Sequence, residues 1–300
     1  VRIVGKSSGE VEGMEEERAL VEMGVEDFDL AGTLSCGQVF HWERRGAGWV
    51  GAMGDSAVYL EQKEAKLFLS AGEEDRVRNY LSLDHPWQTI RESFPSDPAL
   101  DLAVEFCGGM RIIRQPSWEC LATFITSSLK RVEQIGKISL RLRRSFGERL
   151  ECIGGEVFSY PRAEKIAGLR EEDLRACGLG FRAKSLLGSA RMIAEGQVDL
   201  VKVRAMDDEG AMEELRRLPG VGEKVANCGL LFGFERLGAF PIDVWIERVL
   251  IEGYFSGESG VSRERLREFT RDYFGRFGGY AQQYLFHHAR TTGVRIGRQG

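Results

Sequence analysis

The stretch 212–232 limits this chain's fold more than any other. Met212, Leu215 and Leu218 recur every third residue, the mark of one buried helical face. Pro219 and Gly220 end that helix. Gly220 and Gly222 flank Val221 and allow the positive φ that a tight turn needs. Glu223 opens a second helix, with Val225, Cys228, Leu231 and Phe232 on its inner face. The pattern predicts helix, glycine hairpin, helix. Such a hairpin points backbone N–H groups outward at a helix N-terminus, which makes an anion site without side chains. It can hold a nucleic-acid phosphate and reads no base sequence.

Two residues give this turn chemistry. Lys224 lies in the first turn of the second helix, where the helix dipole disfavours added positive charge and favours a nucleophilic amine. Asp243 follows nineteen residues later, after Pro241 and before a helical segment with Val244, Glu247 and Ile251. A carboxylate there can cap that helix and face Lys224 across a cleft.

Composition narrows the setting. The chain has 300 residues, 43% of them hydrophobic, enough for more than one core. No apolar run approaches a membrane span, and the start lacks a charged-then-apolar signal pattern. Six cysteines are scattered with no C-x-x-C pair, which predicts reduced thiols in an intracellular protein. The cysteines and the four histidines have no metal-ligand spacing, so no metal is expected. A formal charge of −5 looks unsuited to nucleic acid, but the charge is uneven. Residues 1–107 carry 10 Lys+Arg against 21 Asp+Glu, and residues 108–150 carry 9 against 3. The positive charge therefore gathers mid-chain, beside the first helices of the region that holds the hairpin.

In chain order, 1–25 reads as a loose acidic tail. Short β-like runs follow at Val39–Trp42, Trp49–Ala52, Val58–Leu60 and Leu67–Leu69, an antiparallel sheet with Leu34-Ser35-Cys36-Gly37-Gln38 inside it. Residues 73–105 read as helices covering that sheet, and 26–107 as one β domain. The remainder, 108–300, reads as a helical domain. Within it an amphipathic helix runs from Trp118 to about Ser128, and Leu129-Lys130-Arg131 follows. Leu179-Gly180-Phe181-Arg182 starts a later helix, and Tyr280-Ala281-Gln282-Gln283-Tyr284-Leu285-Phe286 lies in the last. The end is basic through Arg290, Arg295 and Arg298, which suits phosphate contact.

Hairpin, lysine and spaced aspartate together resemble the helix–hairpin–helix DNA glycosylase superfamily. The Ser-Cys-Gly-Gln, Leu-Gly-Phe-Arg and Ala-Gln…Phe stretches narrow the likeness to the 8-oxoguanine DNA glycosylase/AP lyase branch, over roughly residues 27–290. The resemblance implies an α+β fold: an N-terminal antiparallel β domain, then a two-part helical domain containing the hairpin. It implies a monomer that needs no cofactor and acts on double-stranded DNA bearing 8-oxoguanine or abasic sites. Lys224 is then the nucleophile, and Asp243 stabilises charge at the sugar. The Gly37 carbonyl reads N7–H of the damaged base, Gln282 bonds its edge, and Phe286 and Cys228 take its two faces. Gly220, Val221 and Gly222 hold phosphate, Phe181 wedges into the stack, and Arg182, Lys130 and Arg131 contact DNA. Iron–sulfur relatives carry cysteines after these helices, and none follows Cys228 here. Eukaryotic members grip the orphaned cytosine with an asparagine and two arginines. Leu129 and Gln134 replace the first two, and Arg182 keeps the third. Two other readings stay open: an alkylpurine glycosylase, and a non-enzymatic hairpin module that only holds duplex DNA.

Overall fold

The computed structural model describes residues 20–127, 131–255, 258 and 260–293. Five strands form an antiparallel sheet: β1 (Leu20–Gly24), β2 (Glu43–Arg45), β3 (Gly48–Met53), β4 (Ser56–Lys63) and β5 (Lys66–Ser70), ordered β1-β5-β4-β3-β2. Val50 pairs with Tyr59 and Gly51 with Val58, so strand alternation sends two residue sets to opposite faces. Val58 and Leu60 join Leu67, Leu69, Val21 and Met23 in one core. Val50 and Ala52 build a smaller core on the other face, where Cys152 and Val157 cover them. That cover comes from β6 (Arg149–Cys152) and β7 (Gly155–Phe158), a hairpin inserted between helices of the second domain.

The sheet differs from expectation in three places. Leu20–Gly24, read as tail, is an edge strand paired with β5, because Val21 and Met23 alternate into the core. Leu30–Ser35 is a helix, α1, rather than strand: Asp29 caps it by accepting from Gly32 N at 3.0 Å. Val39–Trp42 is irregular, and Trp42 lies over Gly51, where a Cβ would sit 2.5 Å from the indole.

The helices after the sheet divide between two cores. α2 (Glu74–Tyr80) covers the sheet through Val77 and Tyr80. α3 (Trp87–Glu92) and α4 (Pro98–Phe106) do not. Ile90, Leu100 and Ala103 join the large helical core instead. There Trp87 and Phe94 lie against Tyr280 and Tyr284, rings whose area outweighs anything the sheet offers them. The second domain therefore recruits residues that the boundary at 107/108 had given to the first.

The helical domain continues with α5 (Ser117–Ser127), α6 (Val132–Phe146), α7 (Ala163–Ala167), α8 (Glu171–Ala176), α9 (Arg182–Ala194), α10 (Leu200–Ala205) and α11 (Asp208–Arg216). α12 (Glu223–Gly233), α13 (Val244–Tyr254), α14 (Arg263–Phe274) and α15 (Gly278–Thr292) complete it. No helix among the described residues is long and apolar enough to cross a membrane. α5 and α12 run antiparallel in close contact. A Cβ at Gly229 would lie 2.5 Å from Leu121, and Ser117 Oγ donates to Gly233 O at 2.8 Å. This contact brings the end of α5 beside the start of α12, where the hairpin is. A buried polar group ties the domains: Arg143 bonds the Glu119 carboxylate and donates to Phe158 O, while the His41 ring donates from Nε2 to Ala52 O and lies 3.5 Å from Glu119 on its other side. Burial raises the Glu119 carboxyl although Arg143 opposes it.

Candidate active site

The hairpin rests on a bed of small residues in α9. Ser189 Oγ donates to Pro219 O at 2.8 Å, and a Cβ on Gly188 would lie 3.1 Å from Pro219. Gly220 has φ +84°, and a Cβ there would meet Ser185 at 2.7 Å, so conformation and space both require glycine. Gly222 was expected to share that positive φ. Its φ is −89°, and nothing lies within 4 Å of a Cβ built on it. Its glycine leaves the outer side open for a close approach to the backbone. Val221 is buried and donates its N–H to Leu218 O at 3.0 Å, so its amide does not point outward. The outward donors begin at Gly222 and run into the first turn of α12, which no side chain caps.

Lys224 is half-buried in that first turn, its Nζ 4.9 Å from the centre of the Phe124 ring. Phe124 comes from α5, and in turn meets Phe40 edge-on at 5.8 Å. Cys228, one turn along α12, is buried. Burial raises its thiol, the Lys224 ammonium pulls it back by charge and hydrogen bond, and the Asp243 carboxylate raises it again. Lysine, thiol and carboxylate therefore share one local field. Asp243 caps α13: its Oδ1 accepts from Trp245 N at 3.0 Å and Ile246 N at 2.9 Å.

A second group gathers around α1 and α15. Gly37 has φ +94°, and a Cβ on it would lie 3.1 Å from Phe286 Cε1 and 3.7 Å from Val132. The Gln38 side chain fixes the loop, donating to Thr33 O and Arg111 O and accepting from Ile113 N. Gln282 is 4% exposed, and its Oε1 has no hydrogen-bond partner among the described residues. Such a buried acceptor is costly unless something donates to it. Gln283 donates to Cys36 O at 3.1 Å. Arg290 belongs to α15, not to a tail, and donates to Ser35 O at 3.0 Å. Neither contact was visible in the sequence, because both join residues about 250 positions apart.

Phe181 caps α9 and is 61% exposed, which sets aside a core role. Arg182 stacks on it at 4.7 Å. Arg131 is exposed at the start of α6, where its N–H donates to Gln134 Oε1 at 3.2 Å. Leu129, Lys130, Arg295 and Arg298 lie outside the described residues. Among the described residues no cluster of His, Cys, Asp and Glu could hold a metal. The sequence did not single out Phe124 or Gln283, and it read Arg290 as a phosphate contact, whereas the structure places its guanidinium on the Ser35 carbonyl. For Phe124 a signal existed, since it shares a helix with the buried Leu121 and Ile125.

Known proteins resemble the chain across both of its parts. The family "8-oxoguanine DNA glycosylase, N-terminal domain" matches residues 20–121, and the "HhH-GPD superfamily base excision DNA repair protein" family matches 122–272. A crystal structure of the Clostridium acetobutylicum 8-oxoguanine glycosylase/lyase, in complex with double-stranded DNA containing cytosine opposite 8-oxoguanine, superposes with a TM-score of 0.87. It is 31% identical, over 94% of this chain and 99% of that one. A probable N-glycosylase/DNA lyase of Methanothermobacter thermautotrophicus is 30% identical over 73% of this chain and 80% of its own length. The N-glycosylase/DNA lyase of Arabidopsis thaliana is 28% identical over 85% and 75%. With an 8-oxoguanine glycosylase N-terminal domain joined to a helix–hairpin–helix base-excision domain, the chain belongs to the 8-oxoguanine DNA glycosylase/lyase family.

Proposed function

We infer that this protein excises 8-oxoguanine from duplex DNA and then nicks the strand, as a bifunctional base-excision repair glycosylase and AP lyase. The observation that carries this is Lys224, seated on Phe124 behind the glycine hairpin and sharing its field with Cys228 and Asp243. The damaged base cannot be reached within the stack, so the nucleotide must flip. The Lys224 ammonium gives a proton to the departing base, and the freed Nζ pair bonds to C1′ as the C1′–N9 bond breaks and its electron pair leaves with the base. Asp243 stabilises the positive charge that develops on the sugar, with the carboxylate oxygen that capping leaves free. Opening of the sugar ring gives an iminium between C1′ and Nζ, with the pair from the broken C1′–O4′ bond and a proton going to O4′. The iminium acidifies the C2′ proton; its removal breaks the C3′–O3′ bond, and the 3′ phosphate departs with that pair. Electrons balance without an oxidant or a cofactor.

The Gly37 carbonyl accepts from N7–H, which guanine lacks, and Gln282 bonds the base edge with its unpartnered oxygen. Phe286 and Cys228 enclose the base. Because the Phe286 ring edge touches Gly37, a base held against both requires that ring to turn. Gly220 and Gly222, with Val221 as the buried hinge between them, hold the phosphate. Phe181 wedges where the nucleotide leaves, and Arg182, Lys130 and Arg131 contact the DNA. All of these groups come from one chain, which supports a monomer. Six buried free cysteines support a reducing intracellular setting.

Lys224 weighs against both alternatives: the alkylpurine class lacks the lysine, and phosphate holding needs neither it nor Asp243. Incubation with an 8-oxoguanine duplex and sodium borohydride should give a covalent protein–DNA adduct. Lys224→Gln should abolish the adduct, excision and nicking while leaving binding to damaged DNA largely intact. Trapping that survives in this variant would assign the chemistry to another amine.

A further inference from the structure

Residues 35, 36 and 38 are each anchored, and Gly37 lies between the anchors. Gln38 is held by the core, as described above. The carbonyls of Ser35 and Cys36 are held by α15, through Arg290 at 3.0 Å and Gln283 at 3.1 Å. Gln283, Phe286 and Arg290 follow at spacings of three and four, so they share one face of α15. The same face thus holds the loop and carries the ring that touches Gly37.

Arg290 is an unusual residue for that place. Ser35 is the last residue of α1, and its carbonyl has no acceptor role left within the helix. A cation suits a helix C-terminus. Yet the guanidinium is half-buried, and burial lowers its pKa, with only the Cys36 thiol opposing. Its Nε is buried without a hydrogen-bond partner among the described residues. Its Cζ lies 5.7 Å over the Phe286 ring. A half-buried cation that no carboxylate among the described residues compensates is a costly way to fasten a six-residue helix, if fastening were its whole use.

We propose that Arg290 and Gln283 are positioning residues for lesion recognition. They clamp the Ser35 and Cys36 carbonyls to α15, which fixes where the Gly37 carbonyl points, so that it can accept from the N7–H that an oxidised purine has and guanine lacks. This rests on the reading of Gly37 as the base contact. The loop is sensitive because Gly37 sits close beside Phe286: a Cβ built on Gly37 would lie 3.1 Å from the ring, so a small shift of the loop changes the space for a base. A misplacement of about 1 Å at a reacting centre can cost on the order of a hundredfold in rate.

The test compares two substrates in Arg290→Met, Arg290→Lys and the unaltered protein. One is an 8-oxoguanine duplex under single-turnover conditions; the other is a preformed abasic site, which has no base to position. The unaltered protein should process both. Arg290→Met should slow 8-oxoguanine excision by about ten- to a hundredfold and leave abasic nicking within about threefold. Arg290→Lys, which still offers a donor to Ser35 O, should recover most of the loss. Equal losses on both substrates at an unchanged melting temperature, or no loss on either, overturn the proposal. If Arg290→Met does not fold, Arg290→Lys and Gln283→Met carry the same comparison. Failure of the proposed activity looks different: the unaltered protein would then not excise 8-oxoguanine at all, and the proposal would fall with it.

Discussion

Asp243 does two jobs with two oxygens. Oδ1 accepts both N–H groups that start α13, and the carboxylate charge remains for the cleft. Capping and the proposed role at the sugar can be separated by chemistry. Asp243→Asn keeps an acceptor at Oδ1, and Asn caps about as well as Asp. Only the charge is lost. The melting temperature should stay close to that of the unaltered protein, while single-turnover excision falls at least about tenfold, or about 1.4 kcal/mol of transition-state stabilisation. A collapse in stability with turnover preserved per folded molecule would assign Asp243 to capping alone.

The start of α6 bears on which base opposite the lesion the protein prefers. Gln134, standing where relatives place an arginine, has its oxygen committed to the Arg131 N–H. Leu129, at the asparagine position, has no side-chain donor or acceptor. Arg182 alone keeps the matching type, and each lost base contact removes about 1–3 kcal/mol of discrimination. Excision from duplexes with cytosine or adenine opposite 8-oxoguanine should therefore differ by less than about a hundredfold. A larger preference for cytosine would point to Arg131 or Lys130 as a substitute reader, and alanine at each would identify it. Elements differed in how far the sequence revealed them. The hairpin, α5 and α15 were legible because their periodicity or their Pro-Gly punctuation is local. α1 is six residues long, and its only local sign is the Asp29 cap. β6 and β7 are four residues each, too short for an alternating pattern to stand out. The packing of the α3–α4 segment into the helical core depends on Tyr280 and Tyr284, rings nearly two hundred residues away. In the site the same rule holds. Lys224 and Asp243 stand out by local spacing, while the Gln283 and Arg290 contacts to the Cys36 and Ser35 carbonyls join residues that no spacing connects.

At the scale of the whole molecule, the joints between sheet and helices are built from buried titratable groups, and this predicts how stability depends on pH. His41 is held well below the ordinary imidazole value by burial and by the adjacent Arg143 guanidinium. Glu119 lies 3.5 Å from its ring, but that carboxylate is bound to Arg143 and leaves little charge for the histidine. His85, wedged between Tyr280 and Glu235, is lowered by burial against the pull of Glu235. His287 is lowered to about 4 by burial and then by Arg290, and burial lowers His288 as well. In each case the folded value lies below the unfolded one, so the unfolded chain binds the proton first. Above about pH 6.5 both states are neutral and the full stability is present. As pH falls below that value, each such histidine removes stability with a slope of at most about 1.4 kcal/mol per pH unit, until its folded value is passed. Glu119 works in the other direction: its folded value is raised, so its protonation favours the folded state on acidification and offsets part of the loss. Glu61 and Glu235, both lowered by their partners, add to the loss once the pH reaches the carboxylate range. The melting temperature should therefore be nearly level from pH 8 to 7 and fall steadily between about pH 6.5 and 4. His287→Gln should make that fall shallower, because it removes one proton that only the unfolded state accepts. A melting temperature that stays level to pH 5, or a His287→Gln profile parallel to that of the unaltered protein, would show that these histidines are not kept neutral by the fold.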